Sequence, residues 1–484
     1  MFALLQTIPL FPSDNVAAMA AVAALMVVWW ITEALPLAAT ALVPLVLFPL
    51  LGITSGKEVA AVYMNSTIFL FIGGFVLALS MQRWNLHTRI ALRVISWFHG
   101  SAMYMLLGFM ATSAFLSMWI SNTATATMLL PIGLAVYTRA ADQLSERDKH
   151  RLLTAMMLGI AYSCSIGGTS TLIGTPPNLA MQRIFQITFP GAAEITFAKW
   201  LLFALPLSVT LLLVTWLVIA RRYTGRGFAA LQFSTQELRE ASKKAMSYEE
   251  KVVALVFSLT ALCWMFRQDI VIGAFTLPGW SNLFENASLI NDGTIAIAAA
   301  IALFIIPSRS NQDHARIADS ETIRNLPWNI VLLFGGGFAL AKGFTASGLS
   351  DYIGQQFIDM QDFDPLVLVG SVSAIVIFLT EVTSNTATSQ ILLPVVASVA
   401  KHIEINPLLL MLPVTLSASM AFMMPVATPP NAIVFASGRL HIRDMIKTGL
   451  IINLIAIVLI SLHTWFVGTA VFDIDINTMP TWAE

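Results

Sequence analysis

The sequence predicts an all-α, polytopic membrane protein built from two inverted repeats, with two re-entrant hairpins and two broken helices. Three observations lead to this fold class. Charged residues are scarce, apolar runs of membrane-spanning length recur along the chain, and the same polar motifs occur in both halves in the same order.

The composition excludes a soluble globule. Of 484 residues, 57% are apolar and 11% are charged, whereas about 25% of residues are charged in soluble proteins. The net charge of −1 gives no electrostatic basis for binding nucleic acid. The two cysteines, Cys164 and Cys263, lie in apolar runs, which excludes a disulfide scaffold and a cysteine-based metal site.

Ten apolar runs are predicted to cross the bilayer, or nearly so. They cover residues 16–34, 36–51, 65–82, 152–188 (broken), 197–220, 250–268, 293–307, 328–345, 407–437 (broken) and 447–470. Two further apolar stretches, 103–138 and 366–400, are each interrupted at the middle by a polar motif.

Basic residues predict the orientation because they concentrate in cytoplasmic loops. Five loops hold 20 of the 26 Lys and Arg residues, at 83–93, 139–151, 221–251, 309–324 and 439–447. All five can be cytoplasmic only if 103–138 and 366–400 are re-entrant hairpins, the first opening to the cytoplasm and the second to the outside. Both termini are then expected outside. The stretch 1–15 is too short to span, and no cleavable signal peptide is expected because the first basic residue is Lys57.

The two halves of the chain repeat each other. FIGGFVLA is matched by FGGGFALA, SNTATATMLLPIGLAV is matched by SNTATSQILLPVVASV, and TPPN occurs twice. The pairs begin at Phe71 and Phe334, at Ser121 and Ser384, and at Thr175 and Thr428, with offsets of 263, 263 and 253 residues. The predicted orientation makes the halves inverted, with 16–220 as the first repeat, 221–249 as a cytoplasmic linker and 250–470 as the second repeat. Inverted repeats with unwound segments place substrate and ion sites near the bilayer midplane.

Each SNT motif interrupts an apolar run and predicts the tip of a helix–turn–helix hairpin. Ser, Asn and Thr favour caps and turns because their side chains compete for backbone hydrogen bonds. The second arm then begins with Ser or Asn as its N-cap, and its free N–H groups and positive dipole end point at the tip. Such a tip is an anion site built without a basic residue.

Each TPPN motif predicts a break in a span. The second proline lacks an N–H group, and both prolines disfavour a helical residue before them. Broken backbone survives in a bilayer only where it is buried in protein or lines a wet cavity. The carbonyl groups released at each break are oxygen ligands for a hard monovalent cation.

These four elements predict one composite site. Each pair of tip and break offers oxygen atoms to one cation, and Ser117 and Thr380, one helical turn before the tips, are symmetric candidate ligands. The Asn and Thr side chains between the pairs face a cavity suited to an anion with more than one negative group. No Lys or Arg lies mid-span, so bound cations would have to neutralise the anion, which couples the two fluxes. Tight helix packing is the alternative use of such small polar residues.

Two acidic residues near membrane depth leave alternatives open. Glu33, after WWIT, is either functional or simply hydrated at the end of its span. Glu381, three residues before the second SNT, could tune the second cation site, carry a proton or bind hairpin backbone. The expected interface anchors are Trp29, Trp30, Trp97 and Trp200.

At these motifs the sequence resembles the divalent anion/sodium symporter family, the dicarboxylate transporters. The resemblance rests on the paired SNT and TPPN motifs, on WWITEALPLAATAL at 29–42 and on SMAFMMPVATPPNAIV at 419–434. It covers nearly the whole chain from about residue 16, although the first SNT comes too early to leave room for the extra span that usually precedes the first repeat.

The resemblance implies a homodimer in which each protomer has a scaffold domain and a transport domain that moves like an elevator. The transport domain would contain the hairpins 103–138 and 366–400 with 152–220 and 407–470. The scaffold and the dimer contact would contain 16–82 and 250–345.

The resemblance also implies the residues of the site. One sodium site would be lined by Ser117, Ser121, Asn122 and Gly174, and the other by Thr380, Thr383, Ser384, Asn385 and Ala427. The substrate carboxylates would contact Asn122, Thr123, Thr175, Asn385, Thr386 and Thr428, with Pro176 and Pro429 nearby.

The expected function is sodium-driven import of C4-dicarboxylates such as succinate, fumarate or malate across the plasma (bacterial inner) membrane, without an organic cofactor. Citrate and 2-oxoglutarate are alternative substrates, and a sodium-independent dicarboxylate exchanger of the same fold is the alternative function. An intramembrane enzyme is a remote alternative, because the sequence has no HExxH or GxSxG motif and no Asp in a predicted span. A closed site between two hairpins also suits alternating access better than a channel.

Overall fold

The computed structural model describes residues 11–98, 100–141, 144–223, 239–240, 243–272, 275–310, 315–476 and 478–483. Five helical segments of this part are long and apolar enough to cross a membrane: Asp14–Thr32, Gly56–Arg83, Phe197–Tyr223, Trp328–Ser347 and Ile442–Phe472. Residues 1–10 and most of the predicted linker, 224–238 and 241–242, lie outside the described residues.

The regular elements described in the first half are all helices. Its helices are α1 (Asp14–Thr32), α2 (Leu37–Thr40), α3 (Val43–Leu50), α4 (Gly56–Tyr63), α5 (Ser66–Arg83), α6 (Leu86–Trp97), α7 (Ala102–Ser117), α8 (Asn122–Ala141), α9 (Glu146–Gly168), α10 (Pro176–Thr188) and α11 (Phe197–Tyr223). The predicted span 36–51 is therefore not one helix. Pro44 has no N–H group to donate to the carbonyl of Thr40, so the run divides into α2 and α3.

The second half adds a short β-ribbon to its helices. Its elements are α12 (Tyr248–Met265), β1 (Ile270–Ile272), β2 (Phe275–Leu277), α13 (Asp292–Ile305), α14 (Ser320–Arg324), α15 (Trp328–Ser347), α16 (Leu349–Gln355), α17 (Pro365–Thr380), α18 (Asn385–His402), α19 (Leu408–Ser417), α20 (Pro429–Ala436), α21 (Ile442–His463) and α22 (Thr469–Phe472). The antiparallel pair of β1 and β2 departs from the all-α prediction. It lies in the polar connection between α12 and α13, where no apolar run of helical length is present.

The repeated polar motifs stand where helices stop. The turn 118–121 joins α7 to α8, and the turn 381–384 joins α17 to α18. The backbone between α9 and α10, residues 169–175, is non-helical, and so is the longer segment 418–428 between α19 and α20. These two turns and two breaks position the candidate site.

Two apolar cores meet beside these motifs. The larger core packs α5 to α13 with α15 and with α17 to α21, and Phe71 and Ile173 belong to it. The smaller core joins α1, α3 and α4 to α15 and α16, and Trp30 and Leu333 belong to it. All four of these side chains also line the cavity described below, which therefore lies between the two cores.

A buried arginine outside the cavity is paired with two carboxylates. Arg267, after α12, lies 2.7 Å from Asp292 and 2.8 Å from Glu194. Asp292 also accepts a hydrogen bond of 2.8 Å from the backbone N–H of Phe197. Since a buried ion pair is costly to break, this network fixes the loop between α10 and α11 to the start of α13.

The paired glycine motifs allow helices to approach each other closely. A Cβ on Gly73, in FIGGFVLA, would lie 2.5 Å from the carbonyl carbon of Ala296 on α13. A Cβ on Gly335, in FGGGFALA, would lie 2.0 Å from the ring of Tyr63 on α4. Real Cβ atoms do not come this close to backbone or ring atoms, so only glycine fits at both positions.

We expect Gly73→Ala to destabilise the fold, because the added methyl group must push α5 and α13 apart. Overpacking of this kind costs about 1–3 kcal/mol. The thermal unfolding midpoint of the purified protein in detergent should therefore fall. Gly56→Ala is the matched control, since a Cβ there would meet nothing within 4 Å. Equal midpoints for Gly73→Ala and the unmutated protein would contradict the close packing.

Candidate functional site

One cavity of about 460 Å³ is lined by residues of both turns and both breaks. All eight predicted substrate residues line it: Asn122, Thr123, Thr175, Pro176, Asn385, Thr386, Thr428 and Pro429. Of the other predicted sodium ligands, Ser121, Gly174, Thr383, Ser384 and Ala427 line it as well. Ser117 and Thr380 do not line it; both are fully buried behind the turns.

The opposite wall comes from α1, α5 and α15. It includes Trp30 and Glu33 at the end of α1, Phe71 and Phe75 on α5, and Asn329 at the start of α15. The end of α1 and the start of α15 both lie on the side that the basic residues predict to be cytoplasmic. Glu33 is the one charged residue among the described residues that line the cavity, and it ends α1 in a left-handed conformation with a φ of 50°.

The first turn places Asn122 against the first break. The hydroxyl of Ser117 donates a 2.5 Å hydrogen bond to Oδ1 of Asn122. A Cβ on Gly168 would lie 2.8 Å from that same Oδ1 and 3.1 Å from the carbonyl oxygen of Gly174. A hydroxyl, an amide oxygen and a carbonyl oxygen thus converge, and two glycines leave room for them.

The second turn repeats this arrangement. The hydroxyl of Thr380 lies 2.8 Å from Oδ1 of Asn385 and 2.9 Å from the carbonyl oxygen of Ala418. One hydroxyl proton can serve only one of these two acceptors, so the cluster holds more oxygen atoms than donors. Such a surplus of oxygen atoms is what a hard cation requires.

The predicted N-caps behave differently in the two turns. Ser121 accepts a hydrogen bond of 3.2 Å from the N–H of Ala124 and so caps α8. Ser384 precedes α18 but makes no capping bond with its side chain. The hydroxyl of Thr383, a predicted sodium ligand, lies 2.8 Å from the carbonyl of Leu379 and 2.6 Å from the hydroxyl of Thr388, so it is engaged within its own hairpin.

The asparagine of each TPPN motif was not predicted to have a role, although its repetition was a signal for one. Asn178 and Asn431 are both fully buried, and each donates its side-chain amide to carbonyl groups of its own break. The acceptors are Thr171 at 2.7 Å and Thr169 at 3.1 Å for Asn178, and Ala421 at 3.0 Å and Met424 at 3.1 Å for Asn431. These amides hold the non-helical backbone in one shape.

Glu381 binds backbone N–H groups, which was the third of its predicted alternatives. These groups belong to the second break and not to the hairpin. The carboxylate accepts hydrogen bonds of 2.7, 2.8 and 2.9 Å from the N–H groups of Phe422, Met423 and Met424. A fourth bond of 2.7 Å comes from the side chain of Asn453 on α21. The offset of 263 residues places neutral Met118 at the equivalent position of the first repeat.

Two of the predicted interface anchors are wrong. Trp30 and Trp200 are 1% and 0% exposed, and their indole N–H groups have internal partners. Trp200 donates a 3.0 Å hydrogen bond to the carbonyl of Thr169 in the first break, and Trp30 donates one of 3.1 Å to the carbonyl of Leu37. Trp97, which is 65% exposed, remains suited to an interface.

The similarity to a known family is not confined to the motifs of this site but covers almost the entire chain. The family described as the sodium:sulfate symporter transmembrane region matches residues 4–472. The chain belongs to the divalent anion/sodium symporter family. It is a multi-pass transporter of the plasma membrane and not an enzyme.

Named members of the symporter family are similar along most of their length. The sodium-dependent dicarboxylate transporter SdcS of Staphylococcus saprophyticus is 41% identical over 482 residues, covering 97% of this chain and 90% of that protein. The protein of the same name from Staphylococcus aureus strain USA300 is 42% identical over 460 residues, covering 93% of this chain and 85% of that protein.

A solved structure shares the symporter fold. It is the YdaH transporter of Alcanivorax borkumensis, with a TM-score of 0.57 and 14% sequence identity, covering 85% of this chain and 87% of that one. At this identity the likeness concerns the fold alone. It extends beyond the helices of the cavity to both halves of the chain.

Proposed function

We propose that this chain is a symporter that imports C4-dicarboxylates, such as succinate, fumarate or malate, together with sodium ions. The observation that carries the proposal is the pair of matched oxygen clusters, Ser117 with Asn122 and Thr380 with Asn385, on two turns that face one cavity. The relatives named as sodium-dependent dicarboxylate transporters support the same substrate and the same driving ion.

The charge of the cavity lining supports coupling between the two fluxes. Among the described lining residues, the only charged side chain is the acidic Glu33. Bringing an anion out of water costs several kcal/mol unless a partner charge is present. Cations at the two oxygen clusters would provide that charge, so an empty or half-filled site would bind the dianion poorly.

The two hydrogen-bonding ends of the cavity suit a substrate with two carboxylates. Amide, hydroxyl and N–H groups surround both Asn122 and Asn385, and the two turns face the same space. Each carboxylate would accept hydrogen bonds at one turn, and the N-terminal dipoles of α8 and α18 favour negative charge there.

Transport is proposed to occur by an elevator movement in a homodimer. The moving body would contain 103–138, 152–220, 366–400 and 407–470, and the scaffold would contain 16–82 and 250–345. The position of the cavity supports this division, since its polar wall comes from the first group and its opposite wall from α1, α5 and α15. Sliding of one wall past the other would expose the cavity to each side in turn.

Uptake of labelled succinate into proteoliposomes tests the proposal. An inward sodium gradient should raise the initial rate at least tenfold over an equal potassium gradient, because the dianion needs its counter-ions to bind. A sodium ionophore should remove the stimulation. Full counterflow in sodium-free medium would instead identify an exchanger, and no uptake of succinate, fumarate or malate under any gradient would overturn the substrate assignment.

A further inference from the structure

A second pocket, of about 580 Å³, lies away from the substrate cavity and has no role in the proposed transport reaction. Arg147, His150 and Arg151 contribute to it from the first two turns of α9, and Arg222 and Tyr223 contribute from the end of α11. The start of α21 completes it. We call this the basic pocket. It opens on the face that the distribution of Lys and Arg predicts to be cytoplasmic.

The arginines of the basic pocket converge without carboxylate partners. Within the described part of the chain, no Asp or Glu side chain forms an ion pair with Arg147, Arg151 or Arg222. Asp444 is the one acidic residue that lines the pocket. Like charges held close together repel each other, so a bound anion would relieve this arrangement.

Two other arginines on the same face are neutralised. Arg83 lies 2.6 Å from Asp319, and Arg89 lies 2.8 Å from the nearly buried Glu250. In these two ion pairs the arginine connects separate elements of the fold. In the basic pocket, by contrast, three arginines lie together without a carboxylate partner among the described residues.

A histidine adds a ring nitrogen that has no partner. The ring of His150 stacks on the ring of His441 with 4.9 Å between centroids, and its Nδ1 lies 3.5 Å from the hydroxyl of Thr154. Its Nε2 is buried and has no hydrogen-bond partner among the described residues. A buried polar atom left without a partner costs about 1–3 kcal/mol. With its proton on Nε2, the ring would donate to an acceptor oxygen in the pocket and remove this cost.

The N-terminus of α21 also favours an anionic ligand in this pocket. His441 is the N-cap of α21 and makes no capping bond with its side chain, so the first N–H groups of this 22-residue helix lack a side-chain acceptor. Free N–H groups and a positive dipole end favour a bound anion. Arginine side chains beside them suit a phosphate group, because guanidinium binds phosphate in a bidentate manner.

The basic pocket breaks the symmetry of the repeats. In the first repeat, α9 has 23 residues, whereas its counterpart α19 has ten. The offset of 253 residues places Ala400, Ile403 and Glu404 opposite Arg147, His150 and Arg151. None of these three equivalents is basic, so the second repeat cannot form the same pocket.

We propose that the basic pocket binds a phosphate group, as carried by the headgroup of an anionic phospholipid or by a free phosphate ion. Its open side at the predicted membrane surface gives a headgroup access. Basic pockets between membrane helices on the cytoplasmic side bind such headgroups in other proteins. The proposal does not depend on the substrate of the transporter.

Native mass spectrometry of the purified, delipidated protein with phosphatidylglycerol tests this site. The double variant Arg147→Gln, Arg151→Gln should bind phosphatidylglycerol about 30-fold more weakly than the unmutated protein, because two cationic contacts are lost. The matched control Arg93→Gln, Arg439→Gln removes the same charge from exposed positions outside the pocket and should bind normally. Phosphatidylcholine should not compete.

A second measurement separates the two sources of phosphate. The thermal midpoint of the unmutated protein should rise with phosphatidylglycerol if the ligand is a lipid, and with inorganic phosphate alone if the ligand is a free ion. Both shifts should be absent in the Arg147→Gln, Arg151→Gln variant and present in the control. Equal binding in all three proteins, or no shift with either ligand, would overturn the proposal.

Discussion

Asn385→Ala and Asn122→Ala should each reduce sodium-driven succinate uptake by at least 100-fold while leaving the protein folded. Each substitution removes an amide oxygen that lies 2.8 or 2.5 Å from a buried hydroxyl, Thr380 or Ser117. A hydrogen bond or ligand contact to a charged group contributes about 1.5–3 kcal/mol. Since each asparagine faces both a cation cluster and the substrate cavity, its loss weakens two binding steps at once.

Initial uptake rates in proteoliposomes, combined with the sodium concentration at half-maximal rate, would measure this effect. Asn286→Ala is a suitable control, because Asn286 is exposed in the connection between α12 and α13 and does not line the cavity. Sodium should also protect the unmutated protein against thermal unfolding, and each site variant should need a higher sodium concentration. Full uptake by either variant would refute the assignment of that turn to the site.

Glu381→Gln should destabilise the second break and remove most uptake. The carboxylate accepts four hydrogen bonds from donors, and a glutamine offers only one acceptor oxygen and places an NH₂ group against N–H donors. At least one buried donor then loses its partner, at a cost of about 1–3 kcal/mol each. We expect a lower thermal midpoint together with at least a tenfold loss of uptake.

Met118→Gln is the matched control for Glu381→Gln, since it places the same side chain at the equivalent position of the first repeat. Because the Met118 side chain carries no charge in the unmutated protein, the thermal unfolding midpoint of Met118→Gln should change little. A Glu381→Gln protein with a normal midpoint but no uptake would contradict the role in holding the backbone. That outcome would favour the cation-tuning or proton-carrying alternatives.

The places where helices stop could be predicted from the sequence because polar triplets and paired prolines have strong local preferences. SNT and TPPN predicted interruptions at 121–123 and 175–178. The structure has the turn 118–121 and the non-helical segment 169–175, so each interruption ends at the first residue of its motif and the rest of the motif begins the next helix. The amphipathic helix α6 and the division of 36–51 were not predicted. Hydropathy alone reports how apolar a run is, and not whether it is one helix.

The side chains that shape the breaks could not be predicted from sequence. Asn178 and Asn431 act on backbone within their own segment, and Trp200 reaches the carbonyl of Thr169 across 31 residues. Their roles depend on which carbonyl groups are left free after the helices end. That information exists only in the three-dimensional arrangement.

The amide clamps at Asn178 and Asn431 make the candidate site preorganised. Ordering backbone that is free to move costs about 1–2 kcal/mol per residue. Here the chain loses that freedom once, when it folds, and not each time that ions and substrate arrive. Ligand arrival should therefore change the shape of 169–175 and 421–428 little, and hydrogen exchange at these amides should already be slow in the empty protein.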